Sequence, residues 1–593
     1  MATITNHSIK TPHAAVKIWN YEERMTATGP SINVLADADT RTVIQTAYSN
    51  TVSEQIISTL SLVNIQTNKS KGNPVGTFNF TLAPTRNWVS VITPGSWCVI
   101  LMSNNPITKQ SFEKADMTQV KMFGRIDTIR VEVVVDDEGA RQTRYLVSGQ
   151  DWGSIFNNHL YVDPLIADPK DIQGRQGNAL FQLINNYLLS KSNTPSVYKI
   201  PGNLRALLSV FGSPLPVEQT TRLAKPTHRI LIPQEALDFF GFIDETDKKA
   251  SSTDLSKIIA LQTGSLNTSE GEYDTEIQEG RGWINPFTLV GQHTLWSVLM
   301  DNNNYVLNEL YPEFRWKDQH KPQLTLYNRI RPFSFQKYPL TGIDANLRSK
   351  FENVVTHPLD NKTINSVNAG TNWADKYNFA EVKPEFQELN INEIFVKLKA
   401  QVFQKREDGT AITSIFDREG FRPLILSIKQ IPAKNDGEAA VDNFDIDLFS
   451  GWVKILQEWY FDTHRLLNGR LTMTGSSEYI PVGDNILFDA GLVGVSHNYN
   501  SGALEEKECY VLAHVESVSH SFSVSSDGAR AFQTTIQFVR GIITDKDKQL
   551  IGEGTIDSLS SSLSREDSRN NITTIATPAT TNDIEKESNK EGF

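Results

Sequence analysis

The chain has 593 residues, 39% hydrophobic and 21% charged, the balance of a soluble globular protein with about three to five domains and room for sizeable cores. Its net charge of −12, with no basic stretch, argues against tight nucleic-acid binding. Two cysteines, Cys98 and Cys509, give no disulfide framework or zinc cluster; no apolar run approaches the roughly 20 residues of a membrane span, and MATITNHSIKTPH at the N-terminus has no apolar core like a leader's, so a cytoplasmically made chain without membrane insertion is expected.

Residues 1–50 read as a polar arm with short strands at its end. Ile56 to Ile65 reads as a first strand, closed by a polar turn at Thr67–Asn73. Strands are then expected over Gly76–Pro84, Val91–Met102, Phe123–Val135 and Arg144–Trp152. Val131, Val133 and Val135 share one face, as do Tyr145 and Val147. Pro94-Gly95 marks one turn, and Asp136-Asp137-Glu138-Gly139 another, with Gly139 free to take positive φ. Cys98 lies in an apolar strand and behaves as a small hydrophobe. Trp152 is expected to pack beneath this first β-unit.

Past Trp152 the period changes. Leu180, Leu183, Ile184, Tyr187 and Leu188 form a helical stripe with Asn178 placed to cap it, and Leu295, Val298 and Leu299 begin another. Thr263–Gly282 reads as a long polar loop. Short strands return over Phe351–Pro384, and Phe386–Asp447 mixes a helix with a loop at Asn435–Asp442. The spacing then predicts a helix over Trp452–Leu467, with Ser450 as N-cap, Trp459 in mid-stripe and Gly469 just past its end. From Lys546 onward the chain is polar, the composition of a disordered or partner-ordered tail.

The second half repeats the first. Gly76, Phe78, Phe80 and Thr81 match Gly469, Leu471, Met473 and Thr474, Pro94-Gly95 answers Val482-Gly483, and Ile126 and Ile129 answer Val515 and Val518. Gly139-Ala140-Arg141 recurs as Gly528-Ala529-Arg530 at the same distance. These coincidences in one order indicate a degenerate duplication.

Chemistry-bearing patterns are sparse: there is no HExxH, Walker loop, GxSxG, GxGxxG or CxxC. Asp445 and Asp447 put two carboxylates on one side of an expected strand, a pair able in principle to work as acid and base or hold a metal. Glu505, Glu506 and Glu508 read as a solvated loop. His514 and His520 stand six apart with no ligand pattern around them, and His520 reads as a hydrogen-bonded strand residue between Val518 and Phe522. No catalytic, cofactor-binding or metal residue is assigned, and no cofactor is expected.

GTFNFTLAPTRNWVSVITPGSWCVILM with FGRIDTIR and YLVSGQDWGSIF resembles the N-terminal domain of baseplate hub proteins of contractile-tailed bacteriophages. LWSVLMDNNNYVLNELYPEFRWK with KPQLTLYNRIRPF, WADKYNFAEVKP, FDREGFRP and the Gly469–Arg540 unit are similar to later segments of that family. The resemblance spans Ile56 to Gly541 and implies a β-dominated α+β chain with two tail-tube-like antiparallel β-barrel domains and mixed α/β accessory domains. The implied limits are an arm at 1–50, a first barrel at 51–159, an accessory domain at 160–345, a second barrel at 346–385 and 450–545, an inserted domain at 386–449, and a tail at 546–593. It further implies a structural, non-enzymatic homotrimer in the virion's tail baseplate, assembled in the host cytoplasm, adapting a six-fold tube to a three-fold spike around a channel for DNA. The implied partners are the central spike, tail-tube or tube-initiator proteins, wedge proteins and a tape-measure protein. The alternatives are the hub of a related contractile injection system, a tail-associated peptidoglycan hydrolase and a glycan-binding tail protein.

Overall fold

Alternate residues of Leu62–Ser70 are buried and exposed, the mark of a strand with one dry face, and that pattern governs most of the chain. The computed structural model describes residues 11–23, 25–26, 29–30, 32–36, 42–46, 48–135, 139, 141–157, 159–162, 200–201, 232–242, 259–263, 283–284, 291–301, 308–318, 321–330, 354–384, 400–403, 420–428, 460, 463–476, 479–494, 509–544 and 575–576.

The first half supplies β1 (His13–Glu23), β2 (Tyr48–Ile57), β3 (Leu62–Ser70), β4 (Thr77–Leu82), β5 (Trp97–Ser103), β6 (Val120–Val135) and β7 (Arg141–Asp151). The middle adds β8 (Ile259–Thr263), β9 (Asn308–Asp318) and β10 (Lys321–Ile330), with helices α1 (Gln234–Phe240) and α2 (Leu295–Asp301). The last part gives β11 (Thr356–Pro358), β12 (Ile364–Gly370), β13 (Leu467–Thr474), β14 (Asn485–Asp489), β15 (Tyr510–Val524) and β16 (Arg530–Thr544). The architecture is β-dominated α+β.

Thirteen of these strands form one sheet in the order β12-β13-β16-β15-β3-β4-β7-β6-β5-β1-β2, with β14 joining β15 to β11. The ends of that path do not pair, so the described strands leave neither β-unit closed as a barrel. Each half carries the same five-strand order: β3-β4-β7-β6-β5 in the first corresponds to β12-β13-β16-β15-β14 in the second.

The correspondence holds residue by residue. Adding 389 carries Ile126 to Val515, Ile129 to Val518 and Gly139 to Gly528. Ile126 pairs with Gly149 and Val515 with Phe538, positions again 389 apart. Both long strands then bulge, at Asp127 and at Glu516. Past the bulge, the Thr128 and Ser148 hydroxyls lie 2.7 Å apart, and Ser517 Oγ donates to Gln537 Oε1 across 2.9 Å in the equivalent place. Gly139 and Gly528 turn the two hairpins at φ 80° and 82°. One alignment is corrected: Phe80 pairs with Val147 and Leu471 with Ile536, so Leu471 stands for Phe80, two residues away from the match of Gly76 with Gly469.

Packing lies on both faces of the first unit. Val16, Ile18, Phe80, Ile100, Ile126 and Val147 build the inner core, into which Phe522 and Phe532 of the second unit reach. On the other side Trp19, Trp97 and Phe123 meet α1, β9 and β10 through Phe240, Leu310, Phe314 and Leu326. Trp97 and Phe123 stack at 4.9 Å, and Trp152 packs edge-on to Phe156 at 5.8 Å. The second unit has its own core of Leu471, Val482, Phe488, Val515, Ile536 and Phe538. A separate four-stranded sheet orders Pro423–Ile428, Phe379–Pro384, Ala400–Phe403 and Ile575–Ala576.

Several expectations are revised. His13–Glu23, read as part of a polar arm, is a strand between β5 and β2 with Val16, Ile18 and Trp19 buried. Ile56–Ile65 is two strands divided by a 3-10 turn at Thr59–Ser61, and β3 runs on through Thr67 to Ser70 where a turn was expected. Leu467 and Gly469 lie inside β13 rather than at a helix end. A Cβ on Gly469 would stand 2.3 Å from the Asn368 carbonyl, so the glycine serves close strand approach. Thr463–Arg465 is a 3-10 turn, Tyr460 is helical, and residues 452–459 with Trp459 lie outside the described residues, as do the 180–188 helix and residues 264–282.

Candidate functional site: the junction of the two repeats

β3 is the outer strand of the first unit, and β15 pairs with it from Ser517–Ser70 to Ser523–Asn64. The two repeats thus share backbone hydrogen bonds as one sheet. Phe522 sits opposite Ile65 and both are buried. Asn104 reinforces the join by donating its amide to the Gly475 carbonyl at 2.7 Å.

Beside this seam lies a buried ionic network. Lys69 Nζ donates to Asp151 Oδ2 at 2.5 Å and to the Pro74 carbonyl at 3.0 Å, while Asp151 Oδ1 accepts from the Gly153 amide. A Cβ on Gly76 would come within 2.9 Å of Asp151 Oδ2, so only glycine leaves the pair its room. Lys71 bridges Glu309 at 2.8 Å and Glu516 at 3.1 Å, and so ties β9 to both repeats. Arg315 pairs with Asp484, which also meets His357 Nε2 at 2.9 Å.

β9 explains why charge gathers here. Its even positions, Leu310 and Phe314, enter the apolar core, while Glu309, Tyr311, Glu313 and Arg315 project on the opposite side, toward the junction. Tyr479 donates its hydroxyl to Glu313 Oε1 at 2.7 Å, and the Phe314 amide donates to the same oxygen at 2.9 Å. Burial pushes the Glu313 carboxyl above its ordinary range, against the pull of Lys69, Tyr479, Phe314 and Arg315. Burial, then Glu313, drive the Tyr479 phenol upward. Burial opposes the Arg315 charge, but Asp484 together with Tyr327 and Tyr311 outweighs it and keeps the guanidinium protonated. A cavity of about 20 Å³, space for about one water, lies among Thr67, Lys69, Lys121, Glu313, Tyr479 and His520.

The residues singled out from sequence take other roles. His520 is buried and its Nδ1 lies 3.0 Å from Thr534 Oγ1; burial, then Lys121, hold it well below the ordinary imidazole range. His514 pairs with Asn485 at 3.1 Å, and the two imidazoles serve separate hydrogen bonds. Cys98 and Cys509 are buried and form no disulfide, and burial drives the Cys98 thiol upward. Asp445, Asp447, Glu505, Glu506 and Glu508 lie outside the described residues. Among the described residues no group of three His, Cys, Asp or Glu could hold a metal ion, and no helix is long and apolar enough to cross a membrane. Lys69, Asp151, Glu313, Arg315 and Asp484 were missed. The signal available for Glu313 and Arg315 was charge alternating with Leu310 and Phe314 inside one strand.

What the junction can do is mechanical: shared backbone pairing fixes spacing, and buried charges fix register, because a slip would strand them unpaired.

No family model matches the chain, and no curated protein does. Among solved structures it is similar to a tail protein from Neisseria meningitidis MC58, at 10% identity over 89% of this chain and 96% of that one, with a TM-score of 0.36. The 43 kDa tail protein of prophage MuSo2 from Shewanella oneidensis gives 12% identity over 89% and 98%, with a TM-score of 0.33. The lidded Francisella PdpA-VgrG complex gives 10% identity over 90% and 53%, with a TM-score of 0.34.

Proposed function

We propose that this chain is a structural hub of a contractile tail, acting in the tail baseplate of a virion or in a related contractile injection system. Three copies form a ring of six β-units that matches a six-fold tube on one side and a three-fold spike on the other, around a channel for DNA. The observation that carries this reading is the pair of β-units in one chain, equivalent over five strands and joined between β3 and β15. Two equivalent units in one subunit let a three-fold assembly present six quasi-equivalent surfaces, and a head-to-tail contact closes into a ring when its rotation permits. The sequence resemblance to baseplate hubs supports the same assignment. In this role the chain needs matched surfaces rather than a reaction centre, and it acts without catalysis. Its partners are the central spike, tube or tube-initiator proteins, wedge proteins and a tape-measure protein.

The test is the mass and shape of the isolated protein and of its complex with the spike, by light scattering and electron microscopy. Three copies with six β-units around a channel are expected. A monomer under both conditions overturns the reading.

A further inference from the structure

The seam inside the chain has two unused counterparts on its outside. β15 meets β3 through residues 517–523. Subtracting 389 gives residues 128–134 of β6, where, among the described strands, only β7 pairs, since β5 pairs with β6 no further than Arg125. The counterpart of β3 is β12: Ile65 pairs with Phe80, and Val367 with its equivalent Leu471, so adding 302 maps one strand on the other. β12 ends the sheet path and pairs only with β13 among the described strands.

Exposure follows the same mapping. His520 and Phe522 are 5% and 1% exposed, while their equivalents Val131 and Val133 are 51% and 58% exposed. Val134 and Val135 are exposed as well, so from Val131 to Val135 this edge is apolar except at Glu132. An open apolar edge of that kind, without proline or lysine, invites another strand. Its opposite number β12 offers Ser366, Asn368 and Gly370 exposed, with Val367 and Ala369 half-buried.

From this we infer that β6 of one copy pairs antiparallel with β12 of a second copy, in the register that β15 and β3 use within the chain. His520 opposite Thr67 becomes Val131 opposite Ala369; Ser521 opposite Gln66 becomes Glu132 opposite Asn368. Phe522 opposite Ile65 becomes Val133 opposite Val367. Arg130 and Glu132 then face Gly370 and Asn368, so no like charges oppose each other. The occupant is a second copy because the only template for this seam is the chain's own. The proposal rests on the ring reading above and supplies its subunit contact.

Cysteine cross-linking of the full chain tests it. Directly opposite residues in an antiparallel pair lie about 4.5 or 5.5 Å apart by Cα, both within disulfide reach. Val131→Cys with Ala369→Cys, and separately Glu132→Cys with Asn368→Cys, are oxidised and run without reductant. Covalent species ending at the trimer are expected from both pairs and from none of the single variants. Val131→Cys with Ser366→Cys, about 10 Å out of register, is expected to stay uncrosslinked. A trimer in solution that neither matched pair cross-links overturns this contact and leaves the ring standing. Matched pairs that link into ladders beyond three copies support the contact and overturn the closed ring. A chain that is monomeric with and without the spike overturns both.

Discussion

Gly95 donates its backbone N–H to the Ile126 carbonyl across 2.7 Å, and Gly483 donates to Val515 in the second repeat across 2.9 Å. Both glycines sit at positive φ, 90° and 84°, where a side chain is strained by about 1–2 kcal/mol. Their surroundings differ. A Cβ on Gly95 would meet the mobile end of Arg125 at 3.3 Å, whereas one on Gly483 would stand 2.1 Å from the hydroxyl of Tyr311, which is buried and stacked on Tyr327. Gly483→Ala is therefore expected to lower the thermal midpoint well beyond Gly95→Ala. Equal shifts would mean that Tyr311 yields freely.

Lys69 and Asp151 form a buried pair, so removing one partner leaves a charge without compensation. Lys69→Met alone is expected to cost roughly 3–5 kcal/mol, and Lys69→Met with Asp151→Asn distinctly less. A double-mutant cycle by chemical denaturation gives the coupling. If the double variant is as unstable as the sum of its parts, the two side chains act independently.

Glu313 and His520 give the junction opposing pH responses. The Glu313 carboxyl is raised from 4.5, so what it contributes by being neutral is full below about pH 4.5 and is lost as pH rises through its folded value. Glu313→Gln is expected to raise the thermal midpoint at pH 7 and to change it little at pH 4. His520 is lowered from 6.5, so its contribution is full above that value and falls away in more acid solution. His520→Gln is expected to flatten the loss of stability between pH 6.5 and 5. Parallel pH profiles for wild type and both variants would remove these groups from the account.

Affinity of proteins for DNA comes mainly from phosphate neutralisation, and this chain carries a net charge of −12. Fluorescence anisotropy with a labelled duplex at physiological salt is expected to show no binding. Submicromolar, salt-sensitive association would contradict this and point to a basic surface hidden in the total.

Hairpin punctuation was legible in the sequence because glycines that require positive φ announce themselves, as Gly139 and Gly528 do. The equal spacing from Ile126 and Val515 to those turns also survives in the structure. The two-residue error on β4 and β13 arose because Gly76 and Gly469 answer the same need for close approach at different points, Gly76 just before β4 and Gly469 inside β13. A shift of two keeps each side chain on its face, so alternation alone could not reveal it. β1 escaped notice because it is buried on both faces, with Ala14, Ala15 and Val16 consecutive, and so lacks alternation. The ionic network was invisible for another reason. Lys69, Asp151, Glu313 and Asp484 come from four distant parts of the chain, and only tertiary pairing brings them together.

The seam between β3 and β15 joins Ser70 to Ser517, so 447 residues separate its two sides. On a ribosome adding about 5–20 residues per second, the first repeat waits on the order of 20–90 s before its partner strand exists. Throughout that interval the edge of β3 is bare, and it fits any strand shaped like β15, including β6 of a finished neighbour. Order of synthesis and local crowding of nascent chains therefore bear on whether copies close internally or capture one another. A chain cut short before Tyr510 keeps that edge open permanently and goes on offering it to such strands.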